Sequence, residues 1–199
     1  ADVVIENFKV GGLAKYGLDY DSLAAENPGL VYCSITGFGQ DGPYAARAGY
    51  DFLIQGMAGW MSLTGDPQGE PQKTGVAFAD LFTGLYAVIG IQAALAERAR
   101  SGRGQYIDMA LLDCAVGVLA NQAMNYLATG RSPARLGNTH PNIAPYQVLP
   151  TADGEIILAV GNDGQFARLC AVLGLGALPA DPRFATNEAR LANRAALRE

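Results

Sequence analysis

"LVYCSITGFGQDGPYAARAGYD", residues 30–51, carries an apolar stretch into a glycine-rich turn. Gly37, Gly39 and Gly42 match GxGxxG directly after a predicted strand, the setting in which backbone N–H groups at a helix start cradle a pyrophosphate. The stretch does not go on as that motif requires. Pro43 follows the third glycine, the chain breaks again at Gly49, and no acidic residue caps a second apolar strand about twenty residues on. Local features alone favour a glycine-rich turn over a nucleotide loop.

Working outward, the pattern alternates. Strands are expected near 2–6 and 30–35, with a helix between them at 19–26; a further helix near 50–60 precedes a turn-rich stretch at 64–75. "ADLFTGLYAVIGIQAALAERARSG", residues 79–102, is the strongest helical pattern. Leu81, Leu85, Val88 and Leu95, with Phe82 and Ile89 beside them, recur at three- and four-residue steps and are expected to form its core stripe. "GQYIDMA" (104–110) reads as a strand, and "LLDCAVGVLANQAMNYLATG" (111–130) as one long helix closed by Gly130. Residues 131–147, rich in Pro, Asn and Gly, read as a linker or active-site loop. "GEIILAVG" is then a strand, and "DGQFARLCAVLGL" a helix capped by Asp163. Such alternation predicts an α/β fold with a mostly parallel sheet, plus part of a smaller second domain. The expected divisions are 1–115 for the large domain, 116–140 for a helix and linker, and 141–199 for the small domain. The first and last residues fall inside strand and helix patterns, so the chain reads as an internal fragment.

Composition narrows the functional classes. With 199 residues, 50% of them hydrophobic, the chain can bury a substantial core. A net charge of −5 and scattered arginines argue against a nucleic-acid surface. Cys33, Cys114 and Cys170 lie far apart in apolar segments and read as buried thiols of a reducing compartment. A single histidine, His140, and no zinc-type spacing argue against a metal site. No apolar run reads as a membrane span, and the expected location is the cytoplasm.

Among residues able to do chemistry, Asp80 stands out at the start of the strongest helix. Aspartate is a preferred N-cap, so capping alone accounts for its position. Catalysis is compatible with that role: unpaired N–H groups and the helix dipole favour an ionised carboxylate, which can act as a nucleophile.

Three blocks, "DVVIENFKVGGLAKYGLDYDSLAAENPGLVYCSITGFGQDGPYAARAGYD", "GVAFADLFTGLYAVIGIQAALAERARSGRGQYIDMALLD" and "LGNTHPNIAPYQ", together resemble the class III CoA-transferases. That group includes formyl-CoA transferase and carnitine CoA-transferase and is related to the α-methylacyl-CoA racemases. The resemblance runs over essentially the whole chain and implies a Rossmann-like large domain. It makes "TGFGQDGPY" an approach loop to the active site. It also places the nucleophile at Asp80, in "GVAFADLFTG", which would pass through a mixed anhydride and an aspartyl-CoA thioester. A carboxylate nucleophile of this kind needs no metal and no permanently bound cofactor; the CoA thioester is substrate. Donors around the oxyanion would come from backbone N–H groups of glycine-rich segments.

In the racemases the block "AGYD" carries His where this chain has Tyr50. A phenol, with an ordinary pKa of about 10, is a poor acid/base partner for α-proton exchange at neutral pH, so transfer is favoured over racemisation. Asp51 reads either as a helix cap or as a second carboxylate near Asp80, where it would raise the pKa of one of the pair. By resemblance, CoA contacts fall at Asn7, Phe8, Lys9, Lys15, Arg47, Ala48, Gly49 and Tyr50. His140, Asn142 and Gln147 are accessory candidates for an acceptor carboxylate, in the region where many transferases of the family carry a run of glycines; an ordered polar loop is the alternative. The implied partners are an acyl-CoA, a small carboxylic acid such as succinate or glutarate, and a second copy of the chain in an interlocked homodimer. An isomerase of 2-methylacyl-CoA thioesters is the competing activity, and a non-catalytic folding or dimerisation module the third reading.

Overall fold

The structure is a computed structural model describing residues 1–199, which cluster into two compact units. Ala1–Thr64 and Glu70–Ala134 form the first; Gly65–Gly69 and Arg135–Glu199 form the second.

The first unit is built on three parallel strands in the order β1 (Val3–Glu6), β2 (Val31–Thr36), β3 (Tyr106–Ala110). Helix α1 (Tyr20–Glu26) connects β1 to β2. Its N-terminus is capped by Asp19, whose carboxylate accepts the Ser22 N–H at 3.1 Å. Central β2 is buried from Val31 to Ser34, as expected of a strand covered on both faces. Val31 and Cys33 point to the long helix α4 (Phe78–Ser101). On the opposite face, the Tyr32 ring meets those of Tyr20 and Tyr106.

Helix α4 packs on the sheet through small residues. Ala79, Thr83, Ala87, Ile91 and Ala94 are its buried positions, whereas Leu81, Leu85, Val88 and Ile89 are each more than half exposed. This corrects the expected core stripe in part: Phe82 and Leu95 pack against the core, but Leu81, Leu85, Val88 and Ile89 fall on the other face, because the close approach of a helix to a parallel sheet selects mostly short side chains. The reading that no segment is long enough to span a membrane also needs correction. By length and composition alone α4 would suffice, with a mean hydropathy of 1.5 in its most apolar window. Its seating between β2 and β3 is nonetheless that of a crossover helix.

A second correction concerns residues 111–130. Two helices, α5 (Leu111–Gly117) and α6 (Asn121–Thr129), stand where one was expected. The Trp60 indole N–H donates to the Ala115 carbonyl at 3.0 Å, and the Leu119 N–H donates to the Val116 carbonyl. Ala120 then adopts φ 49°, and the chain restarts as α6. The expected helix near 50–60 is likewise split, into α2 (Asp51–Met57) and α3 (Trp60–Leu63), with Gly59 at φ 87° between them.

The second unit holds an antiparallel hairpin of β4 (Tyr146–Pro150) and β5 (Glu155–Ala159), with helices α7 (Asp163–Val172), α8 (Asn187–Ala192) and α9 (Arg194–Arg198). Strand β4 begins inside the segment expected to be a loop. Fully buried Arg190 organises this unit: it donates to the carbonyls of Ala144 and Phe184 and to the Asp163 carboxylate. With Asp163 so engaged, Asn162 caps α7 in its place, accepting the Gln165 N–H.

The glycine-rich turn finds its physical reason here. A Cβ on Gly37 would lie 2.4 Å from the Gly49 Cα, so two backbone segments cross where neither can carry a side chain. Gly37→Ala is therefore expected to destabilise the full-length protein by at least about 2 kcal/mol through overpacking. Gly84→Ala, at a helical site where nothing lies within 4 Å of the new carbon, should stabilise it by about 0.5–1 kcal/mol. Urea unfolding of the two variants measures both.

Candidate active site

The ends of all three parallel strands open onto one cavity of about 800 Å³. Asn7, Phe8, Lys9 and Val10 line it after β1, Thr36 and Gly37 at the end of β2, and Leu111 after β3. A crevice outside the carboxyl ends of parallel strands is where ligands bind in open α/β sheets. Its volume falls in the range of small-molecule sites.

Arg47, Ala48, Gly49, Tyr50 and Asp51 line the same cavity, brought there by the Gly37–Gly49 crossing, and Asp80 enters from the first turn of α4. Eight of the expected CoA-contact and nucleophile positions, together with Asp51, thus share one concavity. Lys15 is not among its lining residues; its ammonium lies 4.8 Å from the Tyr16 ring centroid. Arg47 stacks on Tyr44 at 4.3 Å, and Tyr50 is 74% exposed. His140, Asn142 and Gln147 belong to the second unit. There His140 Nδ1 accepts the Asn142 N–H, the Asn142 carbonyl accepts from Asn187, and Gln147 sits in β4 opposite Leu158.

Asp80 does not cap α4, contrary to the simplest reading of its position. The N-cap is Ala77, which makes no side-chain bond, and Asp80 is the third helical residue. The Ala79 N–H is instead taken by Asp51, whose Oδ1 accepts it at 2.9 Å. Asp51 is therefore both a cap, for a helix other than its own, and a second carboxylate lining the cavity. Its Oδ2 accepts the side-chain N–H of Gln55 at 2.7 Å. Relieved of capping, Asp80 leaves its carboxylate to the cavity.

Burial pushes the Asp80 carboxyl above the ordinary carboxylate range, and the Asp51 charge adds to the shift. The N-terminal end of α4 opposes both effects by favouring negative charge. The Cys33 and Cys114 thiols, packed under the sheet, are likewise pushed up by burial and held protonated. No group of three or more His, Cys, Asp or Glu side chains is placed to hold a metal ion.

The sequence model of CoA-transferase family III matches residues 1–199. The chain belongs to CoA-transferase family III. Within family III it is 67% identical over 199 residues to the succinate–glutarate CoA-transferase of Agrobacterium fabrum, covering all of this chain and 50% of that protein. It is 43% identical over 193 residues to the succinyl-CoA:glutarate CoA-transferase of Mus musculus, covering 97% of this chain and 44% of that one. A crystal structure of a CaiB/BaiF family protein from Brucella suis, 72% identical, superposes with a TM-score of 0.82 over 99% of this chain and 52% of its own. The chain thus spans about half the length of the curated relatives it matches.

Sequence reasoning missed Gln55, Thr83 and Gly84. Thr83 and Gly84 line the cavity one helical turn beyond Asp80, and the spacing of 80, 83 and 84 on one helix face was the available signal. Gln55 is fully buried, four residues after Asp51 on α2.

The electrostatics give a direct expectation. Followed by carboxyl ¹³C NMR, Asp80 should titrate above the usual carboxylate range, and Asp51→Asn should bring it down toward that range without reaching it, because burial is the larger cause. With the folded-state pKa above the unfolded one, the contribution of Asp80 to stability is full at acid pH and is lost as pH rises through the raised value. Solvent keeps that contribution small, since the burial of Asp80 is partial and its side chain stays open to solvent.

Proposed function

We propose that the full-length protein moves CoA between an acyl-CoA thioester and a free carboxylic acid through covalent chemistry on Asp80, with dicarboxylates of the succinate–glutarate type as its acids. The observation that carries this reading is the placement of Asp80: an uncapped carboxylate at a helix start, lining a cavity that opens at the strand ends. The printed activities of the relatives from Agrobacterium fabrum and Mus musculus support the choice of acids.

The chemistry follows from the group. An Asp80 oxygen attacks the thioester carbonyl, the carbon–sulfur bond breaks, and CoA leaves as its thiolate; the product is a mixed anhydride of Asp80 with the acyl group. The thiolate then attacks the Asp80 carbonyl of that anhydride, releasing the donor acid and leaving an aspartyl-CoA thioester. The acceptor carboxylate repeats the sequence in reverse, forming a new anhydride that the thiolate opens at the acceptor carbonyl, and Asp80 is regenerated. No net proton is consumed. One difficult exchange between two acids becomes a series of displacements in which each leaving group resembles the next nucleophile.

Lys9 and Arg47, both lining the cavity, supply positive charge for the phosphates of CoA. Tyr50, where an acid/base histidine would serve racemisation, supports transfer. The same reading takes the full-length protein as a homodimer, and the uncovered face of Leu81, Leu85, Val88 and Ile89 supports it; a monomer in sedimentation at micromolar concentration rejects that part.

Asp80→Asn and Asp80→Ala should lower CoA exchange by on the order of 10⁴-fold or more while the protein stays folded. Hydroxylamine added during turnover should mark Asp80 by mass spectrometry, because an anhydride or thioester of its carboxyl is intercepted by that reagent. Retention of exchange by Asp80→Asn rejects the mechanism. Exchange of the substrate α-hydrogen with solvent deuterium, without CoA transfer, would point to the isomerase instead.

A further inference from the structure

Gln55 is among the largest fully buried side chains of the molecule, and it is polar. Its amide is committed on both sides. Nε2 donates to Asp51 Oδ2 at 2.7 Å; Oε1 accepts the Thr74 N–H at 2.9 Å and lies 3.1 Å from the Thr74 hydroxyl. Neither end can be exchanged, since a carboxylate only accepts and a backbone N–H only donates. The amide is thus fixed in one orientation by its partners.

Through these partners Gln55 reaches both ends of one short segment, Thr74 directly and Ala79 by way of Asp51. Thr74 starts the approach to α4, and Ala79, held by Asp51 Oδ1, lies in its first turn immediately before Asp80. The six-residue stretch that delivers Asp80 to the cavity is therefore tied to α2 twice, once through Gln55 directly and once through Asp51 as Gln55 orients it. A leucine or methionine of similar size would fill the same space without the cost of a buried amide. A buried amide that bonds one end of the segment and orients the carboxylate bonding the other is what holding that segment requires.

We propose that Gln55 is a positioning residue for the transfer reaction: through Asp51 and Thr74 it clamps residues 74–79 and so sets where the Asp80 carboxylate meets the thioester. The proposal rests on the reading of Asp80 as nucleophile. As a neutral donor, Gln55 holds Asp51 in place without cancelling its charge. The other charged or titratable side chains lining the cavity with Asp51 are Asp80 from α4, Lys9 from the segment after β1, and Arg47 and Tyr50 from the loop before α2.

The test uses the full-length enzyme with succinyl-CoA and glutarate, circular dichroism to establish folding, and Asp80→Asn alongside. Gln55→Leu, which fills the space but makes no bond, should lower kcat by about 10- to 100-fold, the scale of a displaced reacting group, with the acyl-CoA KM changed by less than about threefold. Gln55→Glu keeps an acceptor for Thr74 and can donate to Asp51 only when its introduced carboxyl is protonated. The ratio of its kcat to the parent's at the same pH should therefore approach one at the acid end of the working range and fall as pH rises. If Gln55→Leu does not fold, the Gln55→Glu profile decides. A folded Gln55→Leu with parental kcat, or a Gln55→Glu profile of parental shape, overturns the proposal. If Asp80→Asn keeps full exchange, the transfer reading itself is lost; if Asp80→Asn is inactive and the Gln55 variants are parental, only the positioning role is lost.

Discussion

Two glycines in van der Waals contact through their backbones govern the rest of the first unit. Gly37 closes β2 and Gly49 opens the approach to α2; with no Cβ on either, the two segments cross closely enough for Tyr50 and Asp51 to reach the mouth of the sheet. From that crossing the remaining geometry follows in order. Asp51 meets the first turn of α4, takes the Ala79 N–H, and leaves Asp80 uncapped beside the cavity. A side chain at either glycine would push Asp51 away from the helix whose start it satisfies, so a packing constraint at one point is also a constraint on chemistry several residues away.

The cavity combines opposing electrostatic influences. A helix N-terminus favours the ionised form of Asp80, while burial and the neighbouring Asp51 charge favour the protonated one. The balance leaves the Asp80 carboxyl above the ordinary carboxylate range. Lys9 and Arg47 lie on the same walls without an ion pair to either carboxylate closer than 4 Å. Their charge stays available to an anionic ligand, and Asp80 is not neutralised by a tight partner.

The second unit is organised by a different device. Arg190, wholly buried, spends its guanidinium on two carbonyls and the Asp163 carboxylate and lies 4.5 Å over the Phe166 ring. A buried charge is tolerable when all of its donors are satisfied, and this one joins α8, α7 and the segment before β4. The polar loop that carries His140 and Asn142 is held by α9 and α8, through Arg194 to the His140 carbonyl and Asn187 to the Asn142 carbonyl.

The sequence by itself determined the alternation of strand and helix, the parallel character of the sheet and the prominence of Asp80 at a helix start, because periodicity and glycine placement are local signals; the positions in "AGYD" and "ENFK" came from the family resemblance. Tertiary structure decided what local signals do not contain. Leu81, Leu85, Val88 and Ile89 of α4 make a helical stripe, yet Ala87, Ile91 and Ala94 face the sheet, since the distance between helix and sheet is set by both partners. Residues 111–130 carry one helical pattern, yet the helix ends near Ala115, whose carbonyl accepts the indole N–H of Trp60, more than fifty positions away. Asp80 stands where a cap belongs, yet Asp51 does the capping from another helix, and Asp163 gives up its cap to Asn162 because Arg190 holds it. Gln55 carried no sequence signal, since its part depends on where Thr74 and Asp51 meet in space. In each case the deciding partner is distant along the chain, and only folding brings it within hydrogen-bond or packing range.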